Sequence, residues 1–155
     1  ILKLFKFIKM KKTACCFIGL FLFGLLSIAQ EKNDSLSVSN KTFNIDNCVN
    51  QFNKEAAINT KVGYQYWFAD KDFLDGRTLK MSVVAPHKAT HEPHKHIEDE
   101  FFFVLEGTAE FYLDGKTVVS GPYTSFYCPS NVEHGIRNVG DTELKYLVIK
   151  KYEIN

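Results

Sequence analysis

From Gly63 onward, short β-favouring runs alternate with turn signals, and this rhythm limits the folds open to the chain. The runs are GYQYWFA from Gly63, Leu79–Ala85, Phe101–Leu105, Ala109–Leu113, Lys116–Val119, Ser125–Cys128, His134–Val139 and Leu144–Lys150. They are rich in the β-branched and aromatic residues that strands favour. Between them stand an acidic turn region over Asp70–Gly76, then Pro86, Gly107, Asp114-Gly115, Gly121-Pro122, Pro129 and Gly140-Asp141. Asp-Gly between two alternating runs is a two-residue hairpin signal. Upstream, Thr42–Ile45 reads as a short strand. Asp46 reads as the N-cap of a short helix, with Val49, Phe52 and Ala56 at near-helical spacing. No long amphipathic helix pattern follows. The expected fold is all-β, an antiparallel sandwich or barrel of about seven to nine strands. The length of 155 residues suits one such domain.

The first part of the chain reads differently. Residues 10–29, MKKTACCFIGLFLFGLLSIA, combine a basic start, an apolar run and a small-residue end at Ser27 and Ala29. This is the layout of a secretory signal peptide, with an N-terminal membrane anchor as the alternative. Residues 1–9 read as an upstream extension, 30–45 as a flexible leader, and 46–155 as the barrel domain. The expectation is export to the periplasm or beyond the cell, with no stable membrane span once the signal is removed. Residues 1–29 hold five lysines and no acid, so without them 14 basic residues face 18 acidic ones. A mildly acidic chain without a Lys/Arg cluster excludes nucleic acid as the expected partner.

One stretch carries candidate chemistry: His94–Gly107, HKHIEDEFFFVLEG. Imidazole and carboxylate are ligand types that suit first-row divalent metals. In an extended segment His94 and His96 point to one face. Glu100 reaches the same point if the chain turns at Ile97–Asp99. His134 lies apart from this neighbourhood and is the candidate for a fourth ligand. In its own run His134, Ile136 and Asn138 share a face.

These spacings, with the strand rhythm, resemble the cupin superfamily of small jelly-roll β-barrels. The first cupin motif is matched by His94-x-His96, Glu100 after three residues and Gly107 after six more. Its leading glycine is Lys88 here. The second is matched by Pro129, His134 and Asn138, with Asn131 and Tyr123 where the family pattern has glycine. The resemblance covers roughly residues 60–152. It implies a cupin jelly roll in which His94, His96, Glu100 and His134 hold one divalent metal ion inside the barrel. The ion implied is Fe or Mn first, with Zn, Ni, Co and Cu also in use. It implies a small metalloenzyme acting on a small oxygen-rich molecule, with Glu100 able to serve as catalytic base. Two reaction types compete: quercetinase-like dioxygenase cleavage, and isomerisation or ring opening of a sugar acid. A non-catalytic metal-dependent binding module for a small molecule or carbohydrate is the alternative, because folds host many functions. A homodimer paired through sheet edges is a further expectation.

Other residues divide by role. His91 is a candidate substrate contact or proton shuttle at the barrel mouth, and His87 is expected in solvent. Phe102 and Val104 share Glu100's parity and are expected to line the interior, Phe102 as a substrate contact. Tyr112, Tyr127, Tyr146 and Arg137 are candidate polar contacts. Trp67 is expected to pack the barrel. Glu98, Asp99 and Glu106 read as solvated charges at turns and strand ends. Cys48 and Cys128 could form one bridge in an oxidising compartment.

Overall fold

A computed structural model describes residues 42–153. The expected signal peptide, upstream extension and leader, up to residue 41, lie outside the described residues. Two antiparallel sheets face each other. One has six strands in the order β1(Ile58–Thr60), β2(Gly63–Leu74), β3(Arg77–Val84), β9(Leu144–Lys151), β4(Glu100–Glu106), β7(Ser125–Cys128). The other has three, in the order β6(Lys116–Ser120), β5(Ala109–Leu113), β8(His134–Asn138). This is the expected all-β jelly roll. No helix among the described residues is long and apolar enough to cross a membrane.

The Asp114-Gly115 signal works as expected. Asp114 and Gly115 both take left-handed backbone, with φ of 46° and 80°, the conformation that matches a tight turn to strand twist. Asp75 and Gly76 do the same, with φ of 44° and 71°. The acidic turn expected over Asp70–Gly76 is therefore confined to its last two residues, and Asp70–Leu74 continues β2. Those acids misled the reading because the tip of this hairpin is exposed and tolerates charge in extended backbone.

The segment before the barrel also departs from expectation. Thr42–Ile45 is not a strand. Ile45–Cys48 forms one helical turn, α1, capped by Asn44 instead of Asp46. Asn44 accepts from the Asp46 and Asn47 backbone N–H groups, and Asn47 returns a bond to the Asn44 N–H, a reciprocal cap. Asn53 caps a separate 3₁₀ turn at Lys54–Ala56, so the near-helical spacing spans two turns. β1 was not expected.

Two apolar clusters hold the sheets. Inside the barrel, Val84, Phe102, Val104, Phe111, Leu144, Tyr146 and Val148 are buried, as parity required for Phe102 and Val104. On the other face of β2 and β3, Tyr66, Met81 and Val83 pack with Phe68, Leu105 and Leu147. The chain before β1 covers them. The Phe52 ring lies edge-on to Tyr66 at 5.1 Å. The Tyr66 hydroxyl donates to Asn50 Oδ1 and is within 3.0 Å of the Gln51 carbonyl. β3 thus buries side chains on both faces.

Gly107 cannot carry a side chain: at φ 88° an added Cβ would lie 2.5 Å from the Glu143 carbonyl oxygen. Two of the three positions where the cupin pattern loses glycine keep a glycine-like backbone, and Lys88 does not. Asn131 has φ 59° and Tyr123 φ 62°, at a cost of about 1–2 kcal/mol for a side chain in that region.

The alternative of a Cys48–Cys128 bridge is not realised. Cys48 is exposed and Cys128 lies in the interior cluster. Burial pushes the Cys128 thiol well above its ordinary pKa, so it lacks the thiolate that reacts. Under native conditions iodoacetamide is expected to modify Cys48 and spare Cys128 until denaturant is added, as read by peptide mass mapping. Equal native labelling of both would overturn this burial.

Candidate metal centre

The loop from Ala85 to Asp99 is pinned along β8 like a further strand. His94 N–H donates to His134 O at 3.0 Å and His134 N–H returns to His94 O at 2.9 Å. Asn138 N–H reaches Lys88 O, and Asn131 N–H reaches His96 O. These bonds place the two histidines of the loop beside the one on β8. Glu100 enters from the opposite sheet, at the first position of β4.

The nitrogens of His94, His96 and His134 that converge lie within 4.8 Å of one another. Glu100 Oε1 is 3.2 Å from His134 Nε2 and 3.6 Å from His96 Nε2. His134 is fully buried and Glu100 nearly so. The outward nitrogens decide the chemistry. His94 Nδ1 lies 3.1 Å from Glu92 O, His96 Nδ1 2.7 Å from Glu98 O, and His134 Nδ1 2.8 Å from Val132 O. A carbonyl only accepts, so each Nδ1 carries the proton, and a neutral ring then turns its Nε2 lone pair inward. Such an outer hydrogen bond is the usual device that orients a metal-binding imidazole. His134 Nε2 then faces a carboxylate oxygen. The pair needs either a proton on one partner or a cation between two acceptors. A cation is already drawn to the cluster: Lys150 Nζ is 3.1 Å from His96 Nε2, 3.6 Å from Glu98 and 3.9 Å from Glu100. The donor set fits a divalent transition ion.

A second grouping, Glu100, Cys128 and His134, lies within the same span. Cys128 was absent from the sequence-based ligand set. Its register opposite Glu100 brings it there. Its thiol is held protonated by burial, and a thiol ligand must first lose its proton. The three imidazoles and Glu100 are the stronger set.

His94, His96 and Glu100 line a cavity of about 530 Å³, bounded also by His91, Phe102, Ile136, Tyr146, Lys80 and Lys150, with fully buried His134 behind them. His91 stands at its edge, its ring 5.6 Å from that of His94. Burial is the first cause that holds the His91 imidazolium below its ordinary pKa. The Phe102 ring lies 5.5 Å from Tyr146 and 6.4 Å from His134. Tyr146 is buried, bonded to Thr90 and Ser82, and burial raises its phenol pKa.

Three expected contacts do not line this cavity. Tyr127 pairs with Phe101, out of phase with Phe102, and donates to Asp99 on the outer face. Arg137 lies between the inward Ile136 and Asn138 and binds Glu110 at 2.6 Å outside the barrel. Tyr112 donates to Glu133 at 2.6 Å and with Arg137 lines a separate outer cavity. Glu98 is not the solvated turn residue expected: it is partly buried and pairs with Lys150. His87 is exposed as expected and pairs with Asp141. Lys80 and Lys150 were missed as cavity residues. The signal available for them was parity, since Lys80 shares a face with Ser82 and Val84, and Lys150 with Val148 and Tyr146.

Fold and site together define a class: a two-sheet antiparallel barrel with a histidine-rich interior cavity. Residues 80–150 match the cupin domain family, and this part of the chain is a cupin domain. It is 30% identical over 67 residues to the polyketide synthase CurC of Streptomyces cyaneus, covering 43% of this chain and 44% of that protein. The chain spans less than half the length of the curated relatives it matches. Among solved structures, a predicted oxalate decarboxylase from Thermotoga maritima superposes with a TM-score of 0.53 at 24% identity, over 57% of this chain and 78% of that one. The polyketide cyclase RemF from Streptomyces resistomycificus superposes with a TM-score of 0.56 at 21% identity, over 66% and 79%. At these identities the structural likeness shows the fold alone.

Proposed function

We propose that this chain is a metal-dependent cupin enzyme acting on a small oxygen-rich molecule in the barrel cavity. The observation that carries the reading is the set of three imidazoles whose Nδ1 atoms are held outward against backbone carbonyls, beside buried Glu100. His94, His96, Glu100 and His134 would hold a divalent ion, Fe or Mn first, then Zn, Ni, Co or Cu. When bound, that ion supplies Lewis-acid or redox activation of substrate oxygens. The chain's own groups do the rest. Phe102, Ile136 and Val148 give the cavity an apolar wall that excludes water from part of it. Glu100 is the carboxylate placed to accept a substrate proton, and His91 stands at the edge, where a proton passes to solvent.

The two reaction types remain oxygen-dependent cleavage of an enol or aromatic diol and isomerisation or ring opening of a sugar acid. Export, with an N-terminal anchor as its alternative, rests on residues 10–29. Pairing of two copies belongs to the same proposal; β6 is an edge strand on which Val118 and Val119 are exposed.

The test loads the protein with each of these metals and screens phenolics, enediols and unsaturated uronates for O₂ uptake and absorbance change. Turnover is expected with at least one metal and is expected to fall by about 10²-fold or more in His96→Ala. Ligand binding without turnover under every metal would sink the enzyme reading in favour of a binding module.

A further inference from the structure

Lys80 is the cavity group that the metal reading leaves unused. It projects from β3 on the parity of Ser82 and lines the cavity wall. Among the described residues it makes no ion pair. Its ammonium lies over the Trp67 ring, 5.1 Å from the centroid, so Trp67, which belongs to neither apolar cluster, supports this lysine. The acid whose field reaches it, Glu100, is already shared by His96, His134 and Lys150. Burial pulls its ammonium below the ordinary lysine pKa, against the opposing field of Glu100. An ammonium in a partly desolvated cavity without its own counter-charge is costly, and a bound anion removes that cost.

The charge balance of the whole cavity points the same way. Lys61, Lys80, Lys150 and a divalent ion outweigh Glu100 in the lining and Glu98, which pairs with Lys150 just behind it. A neutral substrate would leave that excess in place. A phosphoryl group draws on several converging donors, arginine above all, and no arginine lines the cavity. A carboxylate suits a single ammonium.

We infer that the substrate is a small organic acid whose carboxylate Lys80 holds while its other oxygens face His94, His96, Glu100 and His134. The inference rests on the metal-centre reading and deepens it. It selects the acid substrate over the neutral phenolic one, and assigns Lys80 the role of a binding and specificity residue.

Calorimetric titration of the full chain tests it, in Mn(II)-loaded and metal-free form. Malonate is the probe acid, malonamide its uncharged isostere, and inorganic phosphate the competing anion. Wild type is expected to bind malonate about tenfold more tightly than malonamide or phosphate in both forms. Lys80→Gln is expected to weaken malonate binding about tenfold in both forms, and Lys80→Arg to recover most of it. Neither variant is expected to change metal stoichiometry or far-UV circular dichroism. Equal malonate affinity in wild type and Lys80→Gln overturns the inference, as does equal binding of malonamide or phosphate. The metal reading fails separately: wild type that retains no metal sinks it, and the metal-free titration still scores Lys80.

Discussion

The double variant His94→Ala/His134→Ala is expected to lose its metal and keep its fold. Wild type should retain about one divalent ion per chain after gel filtration. A full set of protein ligands at a transition-metal site is worth roughly 10–16 kcal/mol, so each ligand carries about 3–4 kcal/mol. Removing two is expected to weaken binding by about 10⁴-fold or more, enough to bring elemental analysis to background. The fold should persist because neither histidine belongs to the two apolar clusters. The loop also stays on β8 through backbone bonds, such as His94 N–H to His134 O, that alanine preserves. Cys128→Ala sharpens the assignment. It removes one member of the competing Glu100–Cys128–His134 grouping, and metal content is expected to stay near one per chain. Stoichiometric metal in the histidine variant, or loss of metal in Cys128→Ala, would show that the ligand set is wrong.

Much of this site could be read from spacing, because its parts are local. His94-x-His96 needs only an extended backbone to share a face, and His134, Ile136 and Asn138 need only a strand. The same parity also excludes Arg137, which lies between two inward residues. Aromatic and polar character drew attention to Tyr112, Tyr127 and Arg137, but the strands turn all three outward. Lys80 and Lys150 were hidden for the opposite reason. An antiparallel strand with one wet face is expected to put lysine in water and methionine in the core. β3 inverts this. Lys80 and Ser82 face the cavity, while Met81 and Val83 face outward beneath the segment that carries Phe52. That cover depends on a contact between Asn50–Phe52 and Tyr66, too distant in sequence for any local pattern to show. Glu98 was misjudged likewise, since its partner Lys150 arrives from the last strand.

Asn138→Ala is expected to be among the most destabilising single changes in the barrel, while leaving the metal centre intact. The residue shares His134's face but stands at the other end of β8, four residues and about 13 Å along an extended strand. Its side chain is buried, and every polar atom is used. Nδ2 donates to Val84 O at 2.9 Å and to Thr142 O at 2.7 Å, and Oδ1 accepts from Gly140 N–H at 2.9 Å. One amide therefore ties the end of β3 to the turn between β8 and β9. That turn lies close against its neighbours, since a Cβ on Gly140 would sit 3.2 Å from Thr108. Alanine leaves two carbonyls and one N–H without partners, at about 1–3 kcal/mol for each buried group, with relaxation and water entry reducing the sum. The expected loss is about 3–4 kcal/mol, a fall in Tm on the order of 10–20 °C for a domain of this size. Asn138→Asp keeps the Gly140 bond but turns a carboxylate oxygen toward two carbonyls, so it should be no better than alanine. Urea unfolding at an unchanged m-value, with metal content measured on the folded protein at low temperature, separates the two roles on β8. A loss below about 1 kcal/mol would mean the amide does not clamp the turn. A loss of metal from the folded variant would mean that the two ends of the strand act as one.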